Sequence, residues 1–201
     1  MLNNFKQRVS INKIICDGKN FQIERLSDYR SYPQFLKYFN DLDFITDHHL
    51  IIGINFSYGW MPTIFKFRSE NIEGNIKEAV KILNKTKQGE IPSSEELKLL
   101  KSLFNNSLVG TSKLLHFINP KKIAIWDSRV YRYITNQEEP YENRIGDCET
   151  FLEYLDFCKL ITQQDLYNGI HMHIEKLVGY TMTKCRTVEL IMYSNGQKPK
   201  K

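Results

Sequence analysis

Leu103-Phe-Asn-Asn-Ser-Leu-Val-Gly-Thr-Ser-Lys-Leu-Leu-His-Phe-Ile-Asn-Pro-Lys-Lys-Ile-Ala-Ile-Trp-Asp-Ser-Arg-Val-Tyr-Arg-Tyr-Ile134 is the stretch whose reading decides the fold. It reads as the end of one helix, a turn, a second helix, a proline-bounded loop and an aspartate that opens a third helix. Asn105-Asn106-Ser107 is a turn, and Gly110 punctuates a tight connection before a helix expected from about Thr111 to Ile118. Asn119-Pro120 stops that helix, because the residue before a proline is pushed out of the α region. Lys121 to Trp126 is a short extended connector, and Asp127-Ser128 starts the next helix with Val130, Tyr131 and Ile134 on one side.

Outward from this stretch the pattern stays helical. Ser93-Ser94-Glu95-Glu96 is a capping box that opens a helix running to about Phe104. Residues 71–87 are amphipathic through Ile72, Ile76, Val80 and Leu83. Asp47 to about Tyr58 is apolar nearly all round and is expected to be central. The break Tyr58-Gly59-Trp60-Met61-Pro62-Thr63 ends it. Phe35, Leu36, Phe39 and Leu42 follow Pro33 at helical spacing, and further helices are expected over 147–161, 164–178 and 182–193. Ile11–Ile15 and Phe21–Ile23 read as short strands or irregular structure, and the tail from Gln197 as frayed. The expected fold class is all-α.

The bulk numbers agree with a globular chain. Hydrophobic residues are 41% of the 201, enough to bury a core. A net charge of +5 is compatible with a polyanionic partner without requiring one. The opening MLNNFKQRVS lacks the apolar run of a secretion signal, and no apolar stretch is long enough to span a bilayer, so the expectation is a cytoplasmic protein with no membrane association. Cys16, Cys148, Cys158 and Cys185 are scattered and read as reduced, mostly buried thiols. His48-His49 and His171-x-His173 diverge around a helix, so neither pair suits one metal ion. Neither a metal nor another cofactor is expected.

Two jobs fit Asp127. It can cap the helix, accepting from amides two or three residues on. It can also be a carboxylate held rigidly at the mouth of a cleft, and the two roles are compatible. Around it, Lys121, Lys122, Arg129 and Arg132 are candidate phosphate contacts, and Lys184 and Arg186 offer a second basic patch. Two helices joined by a short turn can also lay backbone amides against a phosphate.

Segment 103–134 resembles the helix–hairpin–helix DNA glycosylase superfamily, most closely its small OGG-like branch. Leu108-Val109-Gly110 stands at the family's hairpin. Ser112-Lys113-Leu114-Leu115-His116-Phe117, then Pro120, then Trp126-Asp127-Ser128-Arg129-Val130-Tyr131-Arg132 follow the family's order of S-K-L-L-x-F, proline and aspartate. One glycine stands where the family usually has two, and the distance from Lys113 to Asp127 is about one helical turn shorter than usual.

The resemblance implies a two-lobed helical fold with a cleft between the lobes, in one unit over 1–201. It implies one lobe from 1–46 with about 140–196, and a second from about 47–139 carrying the hairpin and the aspartate. It implies a monomeric enzyme that acts on duplex DNA with a flipped-out base. Such an enzyme excises a modified or damaged base, 8-oxoguanine-like or hypermodified like glucosylated hydroxymethylcytosine, in repair or in defence against phage. Asp127 inherits the aspartate that stabilises the positive sugar, and Lys113 the lysine that attacks it, with weak strand cleavage if it does. Gly110 and Ser112 join the phosphate contacts, and Tyr58, Trp60 and Met61 are candidates for the base pocket. Core packing is the alternative for those three, and a phosphate contact or a solvated charge the alternative for Lys113. Two rivals to the enzyme are a non-catalytic helix–hairpin–helix DNA-binding module and a helical interaction protein.

Overall fold

The computed structural model describes residues 9–23, 30–61, 64–67, 72–136 and 139–197. Among them, eleven helices are the regular elements: α1 Ile11–Lys19, α2 Ser31–Asn40, α3 Asp47–Gly59, α4 Ile72–Lys87, α5 Ser94–Leu103, α6 Leu108–Ile118, α7 Ser128–Ile134, α8 Glu142–Ile145, α9 Cys148–Thr162, α10 Tyr167–Val178 and α11 Lys184–Asn195. The fold is all-α, and an isolated antiparallel bridge between Phe67 and Phe104 is the extended pairing seen among the described residues. No helix among them is long and apolar enough to cross a membrane. Pro62 and Thr63 of the expected break, and 198–201 of the expected frayed tail, lie outside the described residues.

The chain divides into two compact units, 30–123 and 1–29 with 124–201. These bounds replace the expected ones at 46 and 139. α2 packs on α6 within 30–123, and α7 packs on α11 within the other unit, so each crosses to the side opposite the expected one.

In the 30–123 unit an aromatic core forms where α2, α3 and α6 meet. Phe35 stacks on Phe56 with ring centroids 4.3 Å apart, and Phe117 meets Phe35 edge-on at 5.2 Å. Asn84 ties α4 to the segment before α3: its Oδ1 accepts from the Ile45 amide at 2.8 Å, and its amide donates to the Ile45 carbonyl at 2.8 Å. α3 is less central than its composition suggests. Leu50, Ile54 and Tyr58 are buried, while Ile51 and Ile52 remain on an exposed edge.

In the other unit Ile11–Ile15, expected as short strand or irregular structure, belongs to helix α1. Ser10 caps it by accepting from Lys13 N, and Ile11, Ile14, Ile15 and Gly18 fall one helical face apart, three of the four buried. α1 packs on α10 and α11, and the Tyr133 hydroxyl donates to Asp17 at 2.6 Å.

Candidate functional site

Asp127 is fixed from both sides of its own backbone. Before it, Ala124, Ile125 and Trp126 are fully buried. The Trp126 indole donates to the Ile145 carbonyl at 2.7 Å and lies 4.9 Å from the Tyr154 ring, whose hydroxyl donates to the Ile125 carbonyl at 3.0 Å. After it, α7 begins, and Asp127 Oδ1 accepts from the Arg129 amide at 2.8 Å. The residue is half-buried, and among the described residues Oδ2 has no hydrogen bond and the side chain no ion pair. It is therefore both the cap and a rigid acceptor with one oxygen uncommitted.

The surroundings of Asp127 come from α11. Arg186, Glu189 and Tyr193 fall at i, i+3 and i+7 on one face of that helix. Arg186 and Glu189 form an ion pair at 5% and 2% exposure. Desolvating two charges costs more than most pairs return, so such a pair is better read as a fixed electrostatic feature than as a source of stability. The Arg129 guanidinium lies over the Tyr193 ring, 4.5 Å from its centroid. Burial pushes the Tyr193 phenol up, with the Arg129 cation opposing the rise and Asp127 adding to it. At the end of α11 the chain touches the first turn of α7: a β-carbon on Gly196 would collide with the Arg129 carbonyl oxygen.

Several expected contacts are corrected here. Arg132 is 8% exposed because α7 is enclosed from Val130 to Ile134, so it offers no surface to a phosphate. Arg186 is likewise in the interior, and Lys184 donates to Asn168. Arg129 remains half-exposed.

The hairpin belongs to the 30–123 unit; its turn falls where expected, at Asn105–Ser107, but the helix after it starts before Gly110 rather than at Thr111. The turn is Phe104–Ser107, with Asn105 and Asn106 left-handed at φ 56° and 53°, a conformation asparagine tolerates. α6 starts at Leu108, so Gly110 lies in its first turn. Its amide donates to the capping Ser107 hydroxyl at 3.1 Å, and a β-carbon there would meet the Tyr58 hydroxyl at 2.5 Å. Ser112 is fully buried and donates to the Val109 carbonyl at 2.9 Å. Neither is placed to contact a phosphate. Tyr58 is core as well: its hydroxyl donates to the Phe104 carbonyl at 2.7 Å, closing the end of α5.

Trp60 and Met61 are half-buried at the end of α3. Trp60 packs 5.4 Å from Phe117, and the Lys113 ammonium lies 5.8 Å from its ring centroid. Lys121 and Lys122 are exposed, and Lys122 donates to the Gly89 carbonyl. An open groove of about 620 Å³ runs between Phe44–Asp47 and α4, and none of Tyr58, Trp60 and Met61 lines it.

His116, fully buried, is the residue of this segment whose role spacing did not reveal. Its Nδ1 lies 2.6 Å from the Ile123 carbonyl and its Nε2 2.8 Å from the Tyr32 hydroxyl. A carbonyl only accepts, so in the neutral ring Nδ1 carries the proton and Nε2 accepts from Tyr32. A lone histidine inside the apolar run Leu114–Ile118 was the available signal. Of the other histidines, His49 completes a capping box with Thr46, and His171 sits 3.2 Å from Thr187 Oγ1 and 3.5 Å from Glu175. The cysteines are free, with Cys148, Cys158 and Cys185 buried and Cys16 exposed; burial pushes the Cys185 thiol up to about 11.

No family model matches the chain, and neither a curated protein nor a solved structure matches it.

Proposed function

We propose that this chain is a DNA N-glycosylase that removes a modified or damaged base and leaves an abasic site. One observation carries the reading: Asp127 is a half-buried carboxylate, immobilised by its capping bond and by buried Trp126, with Oδ2 uncommitted among the described residues. The preceding helix–turn–helix and connector keep the order of elements that the resemblance implies.

In the proposed reaction the bond from C1′ to the base nitrogen breaks, and its electron pair leaves with the base. The sugar becomes positively charged, and Asp127 stabilises that charge more than it stabilises the neutral ground state. Water then bonds to C1′ and gives up a proton, while the departing base gains one. The enzyme reaches the base by flipping it from the stack. Arg129 is the proposed phosphate contact in the unit that carries Asp127. Lys113 is proposed to act as a cation rather than as a nucleophile. Its position over the Trp60 ring rewards the charged form, and attack needs the neutral amine.

The rival reading, a binding module without chemistry, has less support. Its phosphate contacts would come from the hairpin, where the Gly110 amide and the Ser112 hydroxyl are already engaged. It also leaves Asp127 only its helix cap, although a carboxylate repels phosphates.

The test is incubation with duplexes carrying 8-oxoguanine, other oxidised bases or glucosylated hydroxymethylcytosine. Free base is measured by mass spectrometry and abasic sites by alkaline cleavage. Release by the natural chain and its loss in Asp127→Asn supports the reading and names the base. Borohydride should trap no covalent complex through Lys113. If no duplex loses a base, the glycosylase reading fails.

A further inference from the structure

α4 carries more apolar surface than the core of its unit takes. The sequence predicts a stripe of Ile72, Ile76, Val80 and Leu83. The face turned into the core is instead Ala79, Ile82, Leu83 and Thr86. Ile72 is left exposed, and Ile76 and Val80 are half-buried in the wall of the open groove between Phe44–Asp47 and α4. Phe44, 65% exposed, and Ile51 also line that groove. Its walls are fixed to each other, because the Asn84 side chain bonds to both the amide and the carbonyl of Ile45.

Charge sorts along the same line. Away from the groove, charges of α4 are closed in pairs, Lys81 with Glu78 at 2.9 Å and Lys85 with Glu96 at 3.0 Å. In the groove, Asp47, Glu73 and Lys77 make no ion pair among the described residues, and Asp43, next to Phe44, makes none either. A chain of net charge +5 therefore has a groove whose uncommitted charges are mainly acidic. That disfavours a phosphate backbone and favours an occupant with apolar bulk and positive charge. An open trough covers one side of what lies in it, whereas small molecules are usually enclosed over most of their surface. From Glu73 to Asn84 the wall runs about 16 Å, the length of about three turns of a second helix.

We propose that this groove is the docking site for an amphipathic helix of a partner protein, about three turns long, apolar at i, i+4 and i+7 and carrying a lysine or arginine toward Asp47 and Glu73. Apolar anchors supply most of the binding, and Phe44 is the largest side chain that they cover. The carboxylates set orientation and partner choice more than affinity. Fixed walls keep the ordering cost low, since only the incoming helix has to take shape. The site lies within 30–123 and does not draw on Asp127, which belongs to the other unit.

The test is a display selection on the full chain. A library of helical peptides of about 14 residues, randomised along one face, is panned on the natural chain after subtraction on Phe44→Ser. Phe44 is exposed enough for that change to leave the unfolding midpoint near that of the natural chain. Recovered peptides should carry the apolar spacing with a basic residue beside it. Made synthetically, they should lose about thirtyfold in affinity to Phe44→Ser. They should lose about threefold to Glu73→Lys, and that loss should shrink as salt is raised. Replacing the peptide's basic residue by glutamate should reverse the preference between the natural chain and Glu73→Lys. Amide shifts in the natural chain should change over 43–52 and 72–84. Recovery of no peptide, an acidic consensus, or shift changes centred outside those segments overturns the proposal. Should Phe44→Ser not fold, panning is done without subtraction and the amide shifts decide.

Discussion

The hairpin and the start of α7 both carry residues that point to DNA chemistry, and they treat their polar groups in opposite ways. In the hairpin these groups are paired inward: Gly110 N–H with Ser107, Ser112 with Val109, Tyr58 with Phe104, and His116 with both Tyr32 and Ile123. At α7, Asp127 keeps one oxygen uncommitted among the described residues, and the Arg129 guanidinium lies over the Tyr193 ring. A buried polar group must find a partner or be strongly destabilising, so a fully paired cluster is what packing alone requires. A rigid, half-buried carboxylate with one oxygen uncommitted among the described residues is not required by packing. The difference teaches where chemistry should be sought: in the uncommitted region, not in the one whose motif is easier to spot.

The largest expected effect separates these roles at Asp127. Asp127→Asn should lower base release on the order of a hundred- to a thousand-fold while leaving the unfolding midpoint near that of the natural chain. Asp127→Ala should add a stability loss of about 1 kcal/mol, the worth of a cap. Equal stability losses in both variants would break the comparison, because they would make the charge structural.

Next in size is His116→Leu. It strands the Tyr32 hydroxyl and the Ile123 carbonyl in the interior and should cost about 2–4 kcal/mol in chemical denaturation. Adding Tyr32→Phe should recover part of that loss, since one stranded group is then gone. Gly110→Ala should cost about 1–3 kcal/mol, because its β-carbon meets the Tyr58 ring and hydroxyl within 2.6 Å. Ser112→Ala should change duplex affinity by less than about twofold, as the hydroxyl faces inward. A loss of affinity as large as that from neutralising Arg129 would reopen the hairpin as a DNA contact.

The smallest effect is in pH. Burial holds the His171 imidazolium below its ordinary value of 6.5, against the pull of Glu175. The unfolded chain therefore takes up the proton first. The contribution to stability is full above 6.5 and is lost as pH falls through the lowered folded value. His171→Gln should flatten the decline of the unfolding midpoint with falling pH over that window, and an unchanged slope would show that another group sets it.

Local signals explain what the chain made legible. The Ser93 capping box, Pro120 and the aspartate at 127 act within a few residues, so the helices around them could be located from spacing. α1 was missed because its isoleucines satisfy a strand as readily as a helix over so few residues, and the deciding features are the Ser10 cap and the surfaces of α10 and α11. The Asn105–Ser107 turn was legible from its asparagines, but Gly110 was read as a second tight turn because glycine is the usual residue for one, whereas it lies in the first turn of α6. Arg132 and Arg186 looked like surface cations because charge is visible in a sequence and burial is not.

By itself, then, the amino-acid sequence determined the all-α class, the cap at Asp127 and the order of helix, turn, helix, connector and aspartate. These depend on backbone hydrogen bonding and periodicity, which operate over a few residues. Only the tertiary structure decided that Tyr193 and Gly196 reach back over more than sixty positions to Arg129, that His116 locks to Tyr32, and that the hairpin glycine is filled by Tyr58. Those contacts depend on which helix faces meet, and that is fixed by the packing of the whole unit rather than by any stretch of neighbours.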